Sequence, residues 1–486
     1  MTEVDILITG GRVVTPDSTF DTSVAIAGEA IVAVGPRDAL PPARETIDAA
    51  GKYVLPGAID SHVHFRAPGY DYKEDWQTGT GGAARGGVTT VLEMPNTKPP
   101  TATVEALRQK QAIARAQAYV DYGIYGLLDE NNLGELEALM DAGVSSFKCF
   151  MGNTFGDLPA PSDGAMLEGF EILARRGYRC TAHAENASIM ARRQAKLEAA
   201  GRTDPLAHLA ARPEVCAMEA VGRAIIFAEW TGARLHIAHK SSKDALYLIR
   251  DAKRRGVDVT VETCPQYLLL STEDMKVQGG VMRVNPPIRE PGHQEPLWEA
   301  LREGVVDMIA TDHAPHTPEE KTRASIWQCD CGFPGVETQM PLMLTEVNRG
   351  RMTIMDYVRW ACANPARAWG LYPTKGVIQP GADADIVLVD LAAERAIDQG
   401  SLFSRSKISP WHGRRVKGLP VLTMVRGKIV MRDGKLVADP GWGKPARQSM
   451  PPPRPRNVDK TTAAITAPDA VGRAYGATPA PRQKRA

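Results

Sequence analysis

The chain has 486 residues, of which 43% are hydrophobic and 24% are charged, and its formal net charge is +1. This length exceeds the usual size of one domain, and the near-neutral charge gives no reason to expect nucleic acid or an acidic membrane surface as a partner. Seven scattered cysteines and the lack of an apolar stretch long enough to span a bilayer predict a cytoplasmic protein with reduced thiols.

The first 55 residues alternate short apolar and polar runs, such as "DILITGGRVVT" and "SVAIAGEAIVAVG". This alternation is typical of half-buried antiparallel strands. The same pattern returns over residues 375–445, in "GVIQPGADADIVLVDL" and "VLTMVRGKIVMRDGKLV". We therefore expect residues 1–55 and 375–445 to pair into one small β-sandwich domain, although about three hundred residues separate them.

Residues 56–374 alternate short apolar strands with helical segments. The predicted strands lie in "LPGAIDSHVHF", "VTTVLEMP", "VDYGIYG", "SSFKCFM", "RCTAHAE", "LHIAHKS", "DVTVETCPQYL" and "VDMIATDH". Eight such strands alternating with helices predict an α/β fold, the (β/α)₈ TIM barrel. Residues 446–486 are rich in Pro, Ala and Arg, which predicts a disordered tail.

Polar side chains stand at the C-terminal ends of several predicted strands. In a TIM barrel these ends surround the mouth, where catalytic residues lie. Because side chains alternate faces along a strand, His62, His64 and Arg66 in "DSHVHFR" point the same way. The other strand-end residues are Lys148, His183, His239 and Asp312. Four imidazoles and one carboxylate at one mouth suit a borderline divalent metal such as zinc.

These motifs resemble the amidohydrolase superfamily, and within it the cyclic-amide hydrolases: dihydroorotases, hydantoinases (dihydropyrimidinases) and allantoinases. The resemblance extends from residue 3 to about residue 445 and includes "DSHVHFR", "SFKCFMG", "HAEN", "NPPIR" and "ATDHAPHTPEEK". It implies two divalent ions, expected to be Zn²⁺, in the barrel mouth. His62, His64 and Asp312 would bind the first ion, and His183 and His239 would bind the second.

Lys148 matches the lysine of this family that reacts with CO₂ to form a carbamate bridging both ions. A buried lysine without an anionic partner loses its proton, and its neutral amine can take up CO₂. The resemblance implies that Asp312 carries a proton from the attacking water to the leaving ring nitrogen. It also implies a small cyclic amide as substrate and a homo-oligomer, either a dimer or a tetramer.

Four residues match positions at which dihydroorotases contact their substrate. They are Arg66, Asn96, Asn285 and His316. An arginine forms a strong bidentate pair with a carboxylate such as that of dihydroorotate. The resemblance therefore favours dihydroorotase, which interconverts dihydroorotate and N-carbamoyl-aspartate, and a role in pyrimidine metabolism.

Other motifs favour an alternative within the same family. "VETCPQYLLLSTEDM" and "SKISPWHGRRVKGLPVLTMVRGKIV" are more similar to hydantoinases and allantoinases. Hydantoinases, however, have a tyrosine that stabilises the oxyanion where this chain has Asn153. A non-catalytic scaffold is a remote alternative, because every metal-ligand position is filled.

Two further groups of residues lie outside these motifs. Cys329 and Cys331 depart from the pattern of all three enzymes, and an incidental pair of thiols is favoured over a metal site. His208, His293 and His412 fall in helix or loop contexts, so we expect them at the surface.

Overall fold

The computed structural model describes residues 3–152, 154–156, 158–449 and 452–457. The chain opens with seven short strands: β1 (Val4–Thr9), β2 (Arg12–Val14), β3 (Thr19–Asp21), β4 (Ser23–Ala27), β5 (Ala30–Gly35), β6 (Ala43–Asp48) and β7 (Tyr53–Pro56). Four of them form one sheet in the order β5-β4-β1-β6. β-branched residues such as Ile8 and Ile26 turn one face of this sheet into an apolar core.

The next eight strands are parallel and form the barrel: β8 (Ala58–Val63), β9 (Val88–Glu93), β10 (Asp121–Leu128), β11 (Ser146–Phe150), β12 (Arg179–His183), β13 (Arg234–Ile237), β14 (Val259–Thr263) and β15 (Met308–Ile309). They are hydrogen-bonded in sequence order from β8 to β15. A parallel bridge between Val63 and His313 joins the first strand to the segment after the last. Each predicted strand segment overlaps one of these strands, so the predicted barrel is confirmed.

Helices cover the barrel and fill its connections. They are α1 (Trp76–Arg85), α2 (Val104–Gln117), α3 (Leu136–Asp141), α4 (Asp163–Arg176), α5 (Ala187–Ala199), α6 (Pro205–Ala211), α7 (Glu214–Thr231), α8 (Leu246–Arg254), α9 (Pro265–Leu269), α10 (Thr272–Gln278), α11 (Gln294–Arg302), α12 (Pro318–Lys321), α13 (Gln339–Asn348), α14 (Ile354–Val358) and α15 (Asn364–Ala368). Helix α2 shows the local rules: Thr103 caps its first turn, and Leu107 and Ala114 are buried. Within the described ranges, no helix has the length and apolarity needed to cross a membrane.

The C-terminal strands complete the sandwich: β16 (Ile386–Ala396), β17 (Arg415–Val425), β18 (Lys428–Arg432) and β19 (Lys435–Leu436). Strand β16 pairs antiparallel with β7, so that Val387 lies opposite Leu55. The second sheet thus has the order β19-β18-β17-β16-β7-β2-β3 and combines both ends of the chain. The predicted sheet-rich second domain is therefore confirmed.

The segment after β19 runs along the end of the barrel opposite the strand C-termini. Tyr122 N donates to Lys444 O at 3.0 Å, and Arg456 N donates to Thr231 O at 2.7 Å. The composition predicted a disordered tail from residue 446, yet the described residues of this segment contact the barrel. The remainder of that prediction, residues 450, 451 and 458–486, lies outside the described residues.

Candidate active site

Most residues predicted for the site line one cavity at the C-terminal ends of the barrel strands. Nine of the ten do so: His62, His64, Arg66, Asn96, Lys148, His183, His239, Asn285 and Asp312. His316, the tenth, is fully buried behind Arg66. Phe150, Phe155, Val284 and Cys331 contribute to the cavity wall.

Three of these residues have a backbone conformation that is rare for residues other than glycine. Arg66, His239 and Asp312 have positive φ angles of 63°, 38° and 51°. A left-handed residue of this kind costs about 1–3 kcal/mol, and such residues cluster at functional sites. All three follow the ends of barrel strands, where the sharp change of direction places their side chains in the cavity.

His62, His64 and Asp312 form the first candidate metal cluster. The two Nε2 atoms lie 3.3 and 3.2 Å from Asp312 Oδ1, and one ligand atom from each residue falls within 4.8 Å of the others. Each imidazole has a partner at its other nitrogen: Glu262 contacts His62 Nδ1, and Asn96 Oδ1 lies 2.7 Å from His64 Nδ1. Such partners fix the tautomer and leave Nε2 available to a metal.

His183 and His239 form the second candidate pair, with His183 Nδ1 at 2.9 Å from His239 Nε2. Glu185 Oε2 lies 2.9 Å from His183 Nε2 and is itself paired with Arg212. Burial lowers the pKa of all four imidazoles in the two clusters. They are therefore neutral at neutral pH, which is the form that binds a metal.

Lys148 lies in the same cavity and is fully buried. Its Nζ atom has no hydrogen-bond partner among the described residues. Burial lowers the pKa of Lys148, because a charged amine is costly in an enclosed site. The cavity therefore combines neutral imidazoles, a carboxylate and an unpaired amine, a donor set that fits a divalent metal.

Arg66 supplies a cationic wall to the cavity. Its Nη2 lies 3.1 Å from His316 Nε2, and its Nε donates to Pro315 O at 3.3 Å. The guanidinium carbon lies 4.3 Å from the centre of the Phe155 ring, within the range of a cation–π contact. Its Nη1 has no hydrogen-bond partner in the described part of the chain. The two N–H groups of this buried nitrogen are thus available to a ligand oxygen.

The other predicted substrate contacts already have protein partners. Asn96 Oδ1 is engaged with His64, as described above. In the amide orientation that gives both of its atoms a partner, the Asn285 nitrogen lies 3.0 Å from His208 Nε2 and the oxygen 3.3 Å from Arg212 Nη2. Direct substrate binding by these residues and by His316 stays a prediction.

The expectation that His208 lies at the surface was wrong, since it is 1% exposed. Helix α6 turns this side chain inward, where its Nε2 lies 3.2 Å from Val284 O. His293 is half-buried, and His412 is exposed as predicted.

Sequence reasoning missed the two carboxylates that contact the candidate metal-binding histidines, Glu185 and Glu262. Both occur in motifs quoted above, "HAEN" and "VETCPQYL", and both are fully buried. An acidic residue at the end of an apolar strand was the available signal, because such a group is rarely buried unless it is paired. Asn153, which bears on the choice between enzymes, lies outside the described residues.

Comparisons with known proteins agree with this geometry. Residues 53–430 match the Amidohydrolase family. The chain is 36% identical to an L-hydantoinase of Paenarthrobacter aurescens and 39% identical to an allantoinase of Rubrobacter xylanophilus. In both cases the match covers 90% of this chain and 97% of the relative.

Solved structures give the same result. An L-hydantoinase (dihydropyrimidinase) from Arthrobacter aurescens superimposes with a TM-score of 0.89 at 36% identity, covering 91% of this chain and 100% of that one. A D-hydantoinase (dihydropyrimidinase) from a Thermus species gives 0.86 at 34% identity over 92% of this chain and 99% of that one. The chain therefore belongs to the amidohydrolase family, a class of barrel hydrolases, and the mouth of its barrel holds a candidate metal site. Within that family its relatives carry the names hydantoinase, dihydropyrimidinase and allantoinase.

Proposed function

We propose that this protein hydrolyses an amide bond in a five-membered cyclic amide of the hydantoin or allantoin type. The observation that carries this proposal is the similarity to an L-hydantoinase and to allantoinases over nine tenths of the chain. It replaces dihydroorotate as the favoured substrate. One residue behind that earlier expectation, Asn96, has its side-chain oxygen engaged with His64.

The donor set of the cavity fits two divalent ions, for which we propose Zn²⁺ because its ligands are nitrogen and oxygen. His62, His64 and Asp312 would hold one ion, and His183 and His239 the other. The unpaired, buried Nζ of Lys148 supports its carboxylation by CO₂, and the resulting carbamate would supply an anionic ligand to the ions. When bound, such ions acidify a water molecule and polarise the amide carbonyl.

Asp312 is the residue of this chain that can move the proton. As the water oxygen bonds to the amide carbon, the Asp312 carboxylate accepts the proton of that water. It then gives the proton to the ring nitrogen as the C–N bond breaks, so that the ring opens and Asp312 is regenerated.

Dihydroorotase is the second candidate, and Arg66 is the observation that favours it. A buried guanidinium with a free Nη1 suits the carboxylate of dihydroorotate. The same donor also suits the carbonyl oxygen of a ring substituent, such as the ureido group of allantoin. The residue alone therefore fits both substrates.

A substrate panel on zinc-loaded protein tests the proposal, with kcat/KM measured for hydantoin, allantoin, dihydrouracil and dihydroorotate. We expect hydantoin or allantoin to have the highest value. Arg66→Met is expected to lower kcat/KM by about 10- to 100-fold for rings with a carboxylate or carbonyl substituent and to spare hydantoin. Preference for dihydroorotate would overturn the proposal, as would failure to open any ring at full metal occupancy. Turnover of any ring would exclude a non-catalytic scaffold.

We propose that the protein is located in the cytoplasm. We also propose that it forms a homo-oligomer, either a dimer or a tetramer. Light scattering on the purified chain should give a mass of two or four times 52.6 kDa. A monomeric mass would contradict it.

A further inference from the structure

The segment Cys329–Asp330–Cys331 has no role in the proposed reaction. Its thiols do not act together: Cys329 Sγ is buried at 3.5 Å from Arg323 O, whereas Cys331 lines the cavity. No candidate metal cluster among the described residues includes either cysteine. The residue between them, Asp330, makes the contacts that bear on the site.

Asp330 reaches the back of Arg66 through His316. Asp330 Oδ2 lies 3.1 Å from His316 Nδ1 and 3.0 Å from Lys73 Nζ. On the other side of the imidazole, His316 Nε2 lies 3.1 Å from Arg66 Nη2 and 3.0 Å from Cys331 O. The three side chains Asp330, His316 and Arg66 form a continuous chain, which we name the Asp330 relay.

The position of the proton on the His316 imidazole decides whether the Asp330 relay can hold Arg66. Arginine only donates hydrogen bonds, so His316 can accept from Arg66 only if its Nε2 carries no proton. The proton is then on Nδ1, where Asp330 accepts it. In the other tautomer Nδ1 accepts from Lys73 and Nε2 donates to Cys331 O, which leaves Arg66 Nη2 without this acceptor.

We propose that Asp330 is a positioning residue that acts through His316 on Arg66. By accepting from His316 Nδ1, it maintains the tautomer whose Nε2 holds Arg66 Nη2. That contact directs the unpaired Nη1 of Arg66 into the cavity, toward a carboxylate or carbonyl substituent of the substrate ring. The inference rests on the proposed function only in that the cavity binds a substituted cyclic amide.

Glu320 provides a matched control, because it carries the same charge in the same cluster. Its Oε1 lies 3.0 Å from Lys73 Nζ, but its Oε2 lies 3.5 Å from His316 Nδ1, too far for a good hydrogen bond. Asp330→Asn and Glu320→Gln each remove one negative charge beside Lys73. Only Asp330→Asn also allows His316 to change tautomer, because the new asparagine amide can donate to Nδ1.

The test uses zinc-loaded full-length protein and two probes, hydantoin-5-acetate and unsubstituted hydantoin. Kd is measured by calorimetry, and kcat and KM by turnover. We expect Asp330→Asn to raise Kd and KM for hydantoin-5-acetate about tenfold, with kcat, metal content and Tm unchanged. Binding of hydantoin should not change, and Glu320→Gln should alter neither probe. In an Arg66→Met background, Asp330→Asn should have no further effect, because the two residues act in series.

Several results would overturn the inference. They are an additive effect in the Arg66→Met background, an equal loss for both probes, an equal effect of Glu320→Gln, and a wild-type protein that does not prefer the carboxylated probe. Calorimetry needs no turnover, so a protein that binds hydantoin-5-acetate through the Asp330 relay but opens neither ring would contradict the proposed function alone.

Discussion

Two buried lysines near the cavity differ in one respect that bears on function. Lys240 and Lys148 are both enclosed, and burial lowers the pKa of each. Lys240 Nζ donates to Ser242 Oγ at 2.9 Å, whereas Lys148 Nζ has no partner among the described residues. An unpaired buried amine is unfavourable. The position of Lys148 in the cavity therefore supports the proposed carbamate.

Because the proposed carbamate would help to hold the metal ions, Lys148→Met should lower metal occupancy without unfolding the protein. We expect less than full metal occupancy, loss of the carbamate signal in ¹³C NMR after exposure to ¹³C-bicarbonate, and a fall in kcat/KM of more than about 10³-fold. Lys240→Met is the control, and it should retain the signal and the metal content. Full metal content and activity in Lys148→Met would contradict the assignment.

One buried lysine forms ion pairs with both the barrel and the sandwich. Lys375 Nζ lies 2.7 Å from Asp121 on β10 and 2.7 Å from Asp385, the residue before β16. Asp121 also accepts from Arg426 Nε at 3.0 Å, beyond the end of β17. Because these groups are almost completely buried, each charge depends on its partners.

Lys375→Met should therefore destabilise the protein by about 3–5 kcal/mol, since the buried carboxylate of Asp385 loses its cation. The free energy of unfolding can be measured with urea. Lys276→Met removes an exposed pair with Glu273 and should cost less than about 1 kcal/mol. Similar losses of unfolding free energy in the two variants would show that the buried ion pairs do not stabilise the contact between the barrel and the sandwich.

The segment after β19 forms backbone hydrogen bonds with the end of the barrel opposite the site. Gly443 N donates to Ala118 O, and Ser449 N donates to Gly370 O, at 2.8 and 2.7 Å. These contacts satisfy backbone groups near the starts of the barrel strands. None of these four residues lines the cavity.

Two truncations should separate this support from the rest of the tail. Removal of residues 458–486 should leave Tm unchanged and kcat/KM within about twofold, since terminal segments of proteins generally tolerate change. Removal of residues 442–486 should lower Tm by about 5 °C or more, because several backbone hydrogen bonds are lost. Equal Tm values for both truncations would show that the contacts are not stabilising.

The barrel and the sandwich could be predicted from local patterns, which also selected the candidate metal ligands, whereas the assignment of those ligands to two ions came from the family resemblance. Alternation with period two identifies strands, and polar residues at their C-terminal ends meet at the mouth of a barrel. His62, His64 and Lys148 could be chosen in this way without knowledge of their neighbours.

The groups that orient these candidate ligands could not be predicted from the sequence, because they lie far away along the chain. Glu262 contacts His62 across 200 residues of chain, and His316 contacts Arg66 across 250. Side-chain direction at Arg66, His239 and Asp312 depends on positive φ angles, which the packing of distant segments imposes against local preference. For the same reason, the burial of His208 and the roles of Asp330 and the C-terminal segment appear only in the folded molecule.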